Sequence, residues 1–408
     1  MDARELRGKA AIVGFGDVYW GRGDPEQRTP LALAAQATRA ALDDAGLKKA
    51  DIDGVLTGRP PLADMRPQWQ NILCAYLKIT PRYASEITIH GAGLNSMIKH
   101  AALAVTSGVA TNVLCVLGDA PALVDMKNTA TMVDADPFFE RPYGPMVPAL
   151  YAQIACRVMH EYGVTEEDFA TVAVHSQNWA VHHPYAAKAH MGTFTLDQVY
   201  QSRMITSPLR LLHMAPWGPS GTGGAFIVTT AERARSMSAR PIYILGMGES
   251  ETHEYITDRM ALRSGPPELG KLPNLTNTGC RIAADAAYAM AAMTPRQMDV
   301  VQLSSNFVHT ELLMLSELGF CDKHEMGAFV RSGAIDVGGA LPTNTNGGWL
   351  SFGQAGSACV QDSMIEAIRQ LRGQALGLQV DPQPQVALVH GNGGTLACHS
   401  VLILGNQR

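Results

Sequence analysis

Cysteine is scarce in this 408-residue chain: 7 residues, an odd number, with no Cys-x-x-Cys pair. That argues against a disulfide framework and against a structural zinc site, and for a reducing compartment. An excess of positive charge is also missing. Lys and Arg total 32 against 37 Asp and Glu, so the net charge is −5 and no basic footprint for nucleic acid is expected. No apolar run approaches the roughly 20 residues needed to cross a bilayer. The charged opening Met1-Asp2-Ala3-Arg4-Glu5-Leu6 runs straight into a strand, so neither a signal peptide nor a membrane span is expected, and the expected location is cytoplasmic. What is present is 46% hydrophobic residues over a length that suits two or three domains, or one large duplicated one.

Hydrophobic periodicity gives an α/β chain. Ala10–Gly16 reads as a buried strand, Pro30 opens an alanine-rich helix that stops at Gly46, and Asp51–Leu56 reads as a second strand. A short helix is expected near Gln70–Leu77, then a strand at Ile87–Ile89, a helix from Leu94 to Ser107 and a strand at Asn112–Leu117. The same order returns later. Ile242–Glu249 echoes Ala11–Asp17. Ala284–Met293 followed by Asp299-Val300-Val301 echoes Ala37–Ala45 followed by Asp53-Gly54-Val55. A helix Cys359–Leu371 ends at Gly373 as the earlier one ends at Gly108, and a strand Val386–Val389 follows. These matches predict an internal duplication with halves 1–240 and 241–408. An inserted loop over about 119–206, together with proline-rich stretches at 119–150 and 249–280, is expected to cover the ligand side of the sheet.

Three glycine-rich turns draw attention: His90–Gly93, Gly347–Gly356 and His390–Gly394. Two lead into helices, whose first N–H groups can face a developing negative charge. Gly14-Phe15-Gly16 is no dinucleotide fingerprint, because Tyr19 stands where the third glycine belongs. His182 and His183 have no metal-ligand partner at useful spacing, so no metal site is expected.

Several segments, taken in order, resemble the thiolase superfamily and especially its sterol-carrier-protein type thiolases and lipid-transfer relatives. They are Ala101–Gly108 with Val116-Leu117-Gly118, Ser207–Leu212 running to Ala225–Thr230, Glu317–Cys321, Leu341–Gly348 and Gly391–Gly394. The resemblance implies a thiolase-like α/β fold of duplicated halves in α-β-α-β-α layers, and action on an acyl-CoA thioester. Coenzyme A would then be part of the substrate, with no covalently bound cofactor.

The family's nucleophilic cysteine falls at Gly91, or at Ala92 in a slipped register, and neither can attack a thioester. The histidine of its Gly-His-Pro turn falls at Gln354, which cannot take a proton at neutral pH. Its Asn-Glu-Ala-Phe block corresponds to Ser304-Ser305-Asn306-Phe307, and its acid/base cysteine to about His390. The pattern is similar to the aldolase branch, which cleaves steroid side chains without an acyl-enzyme, although that branch's two tyrosines align with Ser305 and Gln354. The resemblance therefore implies carbon–carbon bond cleavage or formation without the usual cysteine. His390, Gln354, Asn306 and His90 are the expected catalytic residues, and Gly91, Ser305, His309, Asn346, Gly347 and Gly393 are expected to hold substrate. It further implies a homodimer, formed along the strand after the elbow helix, and a small zinc-ribbon/OB-fold partner protein. The alternative is a catalytically silent acyl-CoA-binding or scaffold subunit of an acyltransferase complex.

Overall fold

Nine strands build one sheet: β1 (Ala10–Trp20), β2 (Gly54–Thr57), β3 (Tyr83–Glu86), β4 (Asn112–Asp119), β5 (Gly221–Thr230), β6 (Ile242–Glu251), β7 (Val300–Gln302), β8 (Val386–Gly393) and β9 (Cys398–Gly405). Around it lie α1 (Pro30–Ala45), α2 (Gly93–Thr106), α3 (Val147–Tyr162), α4 (Glu166–Ala180), α5 (Cys280–Ala291), α6 (Val308–Glu317) and α7 (Cys359–Arg372). The structure is a computed structural model that describes residues 3–408 except 22–25, 27, 61, 62, 65, 124–134, 219, 238, 239, 254, 257–274, 357 and 358. Parts of both proline-rich stretches singled out above therefore lie outside the described residues.

The strand order is β3-β2-β4-β5-β1-β6-β9-β8-β7. At the centre, β1 and β6 meet antiparallel through Ala11–Tyr243 and Ile12–Ile242. Outward from that junction both sides run first strand, last strand, fourth strand, second strand. On the second side an isolated bridge from Val301 to Thr343 stands where a third strand would lie. The expected duplication thus takes the form of one continuous mirrored sheet.

Alternation along the strands sorts their side chains onto two faces. Ala11, Val13, Leu114, Val116 and Ile227 pack under α1. Leu245, Leu388, Val401 and Ile403 pack with α5 and α6. The opposite faces, with Ile12, Val113 and Phe226 from one half and Ile244, Val389 and Leu402 from the other, close on α2 and α7. These two helices form the middle layer; α2 leaves His100 and Leu103 exposed, whereas α7 is buried at every residue but Arg369, which is why its acids Asp362 and Glu366 are only 1% and 2% exposed.

The first strand of each half lies unusually close to its helix. A Cβ on Gly14 or Gly16 would overlap the carbonyl oxygens of Ala41 and Ala37 on α1, and one on Gly246 or Gly248 would overlap those of Ala287 and Ala283 on α5. The Gly-x-Gly pairs thus serve close strand–helix approach, matched by alanine on the helix side. For α1 the sequence signals act as expected: the Thr29 hydroxyl accepts from the Ala32 N–H, Pro30 fills the first turn, and Gly46 ends the helix at φ 67°.

Three expectations need correction. The third strand is Tyr83–Glu86, in parallel register with Gly54–Thr57, and Ile87–Ile89 instead forms the approach to the elbow. The segment read as a loop over about 119–206 contains α3 and α4, and Thr165 caps α4 in a reciprocal box with Asp168. The strand after the elbow helix, β4, is paired on both sides by β2 and β5 and offers no edge for a dimer; the free edge on that side belongs to β3. No helix among the described residues is long and apolar enough to cross a membrane.

Candidate functional site

At the elbow, His90–Ala92 form a single 3-10 turn before α2, with His90 exposed and forced to φ 45°. Gly91 is walled in. A Cβ there would overlap the Asn392 carbonyl oxygen, lie 2.8 Å from Cη2 of Trp349 and 3.3 Å from the Cys359 Sγ. Gly91, the first of the two positions to which the resemblance assigns the family's nucleophile, has no room for a side chain. The nearby Cys359 thiol does not replace it. Burial and then the Asp362 charge push that thiol well above its ordinary pKa, so it stays protonated and inert. Gly391 and Gly393 on β8 also press on the elbow, through Gly91 and Ile89 carbonyls respectively. Asn95 of α2 donates to the carbonyls of Val389 at 3.1 Å and Ser400 at 3.3 Å, tying the first half to the second.

His390 is placed differently from the expectation. Strand β8 runs through it to Gly393, so the segment 390–393 is not a turn. Its backbone is paired along β9, His390 with Val401 and Gly393 with Cys398, and does not present free amides to a ligand. Both His390 ring nitrogens are engaged as well. Nδ1 accepts from the Ser304 N–H at 3.4 Å, and Nε2 lies 3.1 Å from Nδ1 of His399. The His399 Nε2 faces the Leu396 carbonyl at 3.2 Å, which can only accept, so that nitrogen carries the proton and His390 donates from its own Nε2. Burial and then the neighbouring His399 hold His390 well below its ordinary pKa. His390 thus fixes the strand end and has no nitrogen left for a substrate proton. Cys280 brings a thiol to the same place, within 4.8 Å of the two histidine nitrogens, a donor set that could in principle ligate a metal. The His390–His399 bond satisfies both rings without an ion, and a metal would have to displace its proton.

Around the glycine-rich loop, Ser305 Oγ accepts from the Trp349 N–H at 3.0 Å, and Asn344 Nδ2 donates to Glu311 at 3.1 Å. Burial raises the Glu311 carboxyl to about 8 against the hydrogen bonds from Asn344 and Ser305, so it carries a proton at neutral pH. Asn346 Oδ1 accepts from the Gly348 N–H at 2.9 Å and shapes the loop. Gly347, at φ 99°, passes so close to Ala180 of α4 that a Cβ would sit 2.5 Å from the alanine methyl. Gln354 is half-buried. Its N–H donates to the Pro216 carbonyl at 2.9 Å, which pins the bend against residues 214–218. Asn306 lies across the same segment, its carbonyl accepting from the Ala215 N–H at 2.9 Å.

One cluster collects polar atoms without partners. His309 is fully buried, and neither ring nitrogen has a hydrogen-bond partner. Its ring lies 5.7 Å from Phe307, 5.9 Å from Tyr151 and 6.1 Å from Phe169, centroid to centroid. His213 also packs on Phe169, at 5.8 Å; its Nδ1 accepts from the Arg210 N–H at 3.3 Å, leaving Nε2–H unmatched. The Asn306 Oδ1 is buried and unmatched too. Burial and then His213 lower His309 to about 3, so both rings stay neutral. Tyr151 stacks on Phe307 at 4.4 Å and donates to the Gly394 carbonyl at 3.1 Å. Beyond His213, Lys188 donates to the Met214 carbonyl at 3.0 Å, and burial lowers its amine to about 7.

The structure therefore gathers Gly91, Gly393, His90, Ser305, Asn346 and Gly347 about the elbow and the loop packed on it. His309 stands apart among aromatic rings. Sequence reading did not single out Tyr151, His213, Lys188 or His399. Tyr151 and Lys188 come from the insertion and His213 lies just after it, and no motif spacing links them to the turns they touch; the fourth, His399, is nine residues from His390 across a strand turn.

Residues 265–406 match the family described as thiolase C-terminal domain-like. Over 98% of its length this chain is 33% identical to all of the 17-hydroxy-3-oxo-4-pregnene-20-carboxyl-CoA lyase of Mycobacterium tuberculosis. It is 31% identical to the steroid side-chain-cleaving aldolase of Thermomonospora curvata, with 99% of each chain covered. Among solved structures, one titled Ltp2-ChsH2(DUF35) aldolase superposes with a TM-score of 0.81 at 28% identity, covering 99% of both chains.

Proposed function

This chain belongs to the thiolase superfamily, and from that premise we propose that it is an acyl-CoA carbon–carbon lyase of the retro-aldol type. The observation that carries the reading is the sealed space over Gly91. With the Asn392 carbonyl and Trp349 against the elbow, no cysteine acyl-enzyme can form there. A retro-aldol step has no need of one. The hydroxyl on the β-carbon gives up its proton, the bond between the α- and β-carbons breaks, a ketone or aldehyde leaves, and the enolate of the shortened acyl-CoA is reprotonated at its α-carbon. Electrons and atoms balance without oxidant or co-substrate, and coenzyme A enters only as part of the substrate.

The side-chain amides of Gln354 and Asn306, with the positive end of α2, stabilise the enolate oxygen. His90, exposed and with its Cβ next to Gly393, exchanges the proton with solvent. His390 holds the strand beneath them. An odd number of cysteines without a Cys-x-x-Cys pair fits a reducing, cytoplasmic setting. The free β3 edge suits a homodimer. A small zinc-ribbon/OB-fold partner is in keeping with the name of the structural neighbour, which joins an aldolase to a DUF35 protein.

The test is product analysis. Incubated with (hydroxycyclohexyl)acetyl-CoA carrying its hydroxyl on the β-carbon, and with no free coenzyme A, the protein is expected to release cyclohexanone and acetyl-CoA in equal amounts. Products that appear only when free coenzyme A is supplied would point to thiolysis and remove the retro-aldol reading.

A further inference from the structure

Three buried polar atoms lie without partners on two histidines that both pack on Phe169: the two ring nitrogens of His309 and the Nε2 of His213. Buried polar groups are nearly always matched, so a group of unmatched ones calls for an explanation. Packing does not supply it. His309 sits among Phe307, Tyr151 and Phe169, where a phenylalanine of the same shape would fill the space without any unsatisfied atom. The hydrogen-bonding character of the set is defined. Because the His213 Nδ1 accepts from the Arg210 N–H, its Nε2 is a donor. A neutral His309 offers one donor and one acceptor.

Resting on the lyase reading, we infer that His309 and His213 form the subsite that reads the β-hydroxyl of the substrate's acyl group. A hydroxyl both donates and accepts, and so answers both kinds of atom in the cluster. A ketone oxygen can only accept and would leave one side of His309 unmatched. The aromatic rings around the histidines suit a β-carbon that belongs to a ring. Tyr151, 5.9 Å from His309, is stacked on Phe307 and bonded to the Gly394 carbonyl just past the end of β8. At neutral pH both histidines are uncharged. They act here as hydrogen-bonding groups that fix the hydroxyl, which sets specificity rather than moving the proton.

Two measurements test this. In calorimetric titrations, the wild type is expected to bind (hydroxycyclohexyl)acetyl-CoA about 30-fold more tightly than cyclohexylacetyl-CoA, which lacks only the hydroxyl. In His309→Phe and His213→Phe that ratio is expected to fall below about threefold, with binding of the deoxy compound unchanged. Thermal unfolding supplies the second readout. His309→Phe removes two unsatisfied buried atoms and is expected to raise Tm by about 2–5 °C while turnover falls. A purely structural histidine would give the opposite shift. Equal binding of the two thioesters by the wild type, or a lower Tm in His309→Phe, overturns the subsite. Binding of neither thioester overturns the lyase reading along with it.

Discussion

Gly91→Cys is expected to lose most of its folded protein and to gain no thiolase activity. It puts a thiol at Gly91, one of the two positions to which the resemblance assigns the family's nucleophile, but the new Cβ must overlap the Asn392 carbonyl oxygen and press on Trp349 at 2.8 Å. Asn392 cannot withdraw, because its N–H donates to Ser304 Oγ at 2.9 Å and β8 is held by β9 on one side and β7 on the other. Overpacking against main chain of that kind costs about 3 kcal/mol or more, a large share of the stability of an ordinary domain. Gly91→Ala carries the same Cβ and is expected to behave the same way, which separates the steric effect from thiol chemistry. The check is thermal unfolding alongside an acetyl-CoA condensation assay. A stable Gly91→Cys protein that condenses two acyl-CoA molecules would show that the elbow still has room for the family's chemistry.

Glu311→Gln is expected to change how stability depends on pH. The Glu311 carboxyl titrates near 8 in the folded protein and near 4.5 when free, because burial opposes its charge. Between those values the folded protein keeps a proton that the unfolded chain has released, so each step up in pH favours unfolding. The stability tied to this proton is complete below about pH 4.5 and gone above about pH 8. Glutamine can accept from Asn344 and donate to Ser305 without ever titrating. The variant's stability relative to wild type should therefore rise by about 3.5 kcal/mol from pH 5 to pH 8. Denaturant unfolding of both proteins at the two pH values measures that difference directly, with the other buried acids and histidines common to both. A stability difference that stays constant across that range would mean Glu311 is ionised in the folded protein, and its place beneath Ser305 would need another account.

Parts of this molecule could be read directly from the residues. The alanine-rich α1 carries its own start and stop in Thr29, Pro30 and Gly46, all local signals. The duplication was legible because Gly14/Gly16 and Gly246/Gly248 answer the same demand, a strand lying under a helix of alanines. Other features depend on distant partners. Tyr83–Glu86 is the third strand because Gly54–Thr57 pairs there, while the more β-prone Ile87–Ile89 falls just beyond that register. The insertion hid its helices behind proline and aspartate, although Thr165 and Asp168 form a recognisable cap at the start of α4.

The site divides in the same way. Gly91 could be placed by counting from Gly108, but the Asn392 carbonyl and Trp349 that close the space above it come from 258 to 301 residues away in sequence. His390 looked available because its motif reads as a turn. Only the pairing with β9 shows that it lies in a strand with His399 on its remaining nitrogen. His309 stood out in sequence merely as a histidine near Asn306. That both its nitrogens are buried and unmatched is a property of the packed structure, contributed by α3, α4 and residues 210–214 together.

The central claim, that this member of the superfamily breaks carbon–carbon bonds without a covalent acyl-enzyme, is tested most directly by intact-protein mass spectrometry on acid-quenched reactions. The account predicts unmodified protein at every time point while the ketone and the shortened acyl-CoA accumulate. A transient species heavier by the mass of the acyl group, located by digestion on a cysteine, would contradict it.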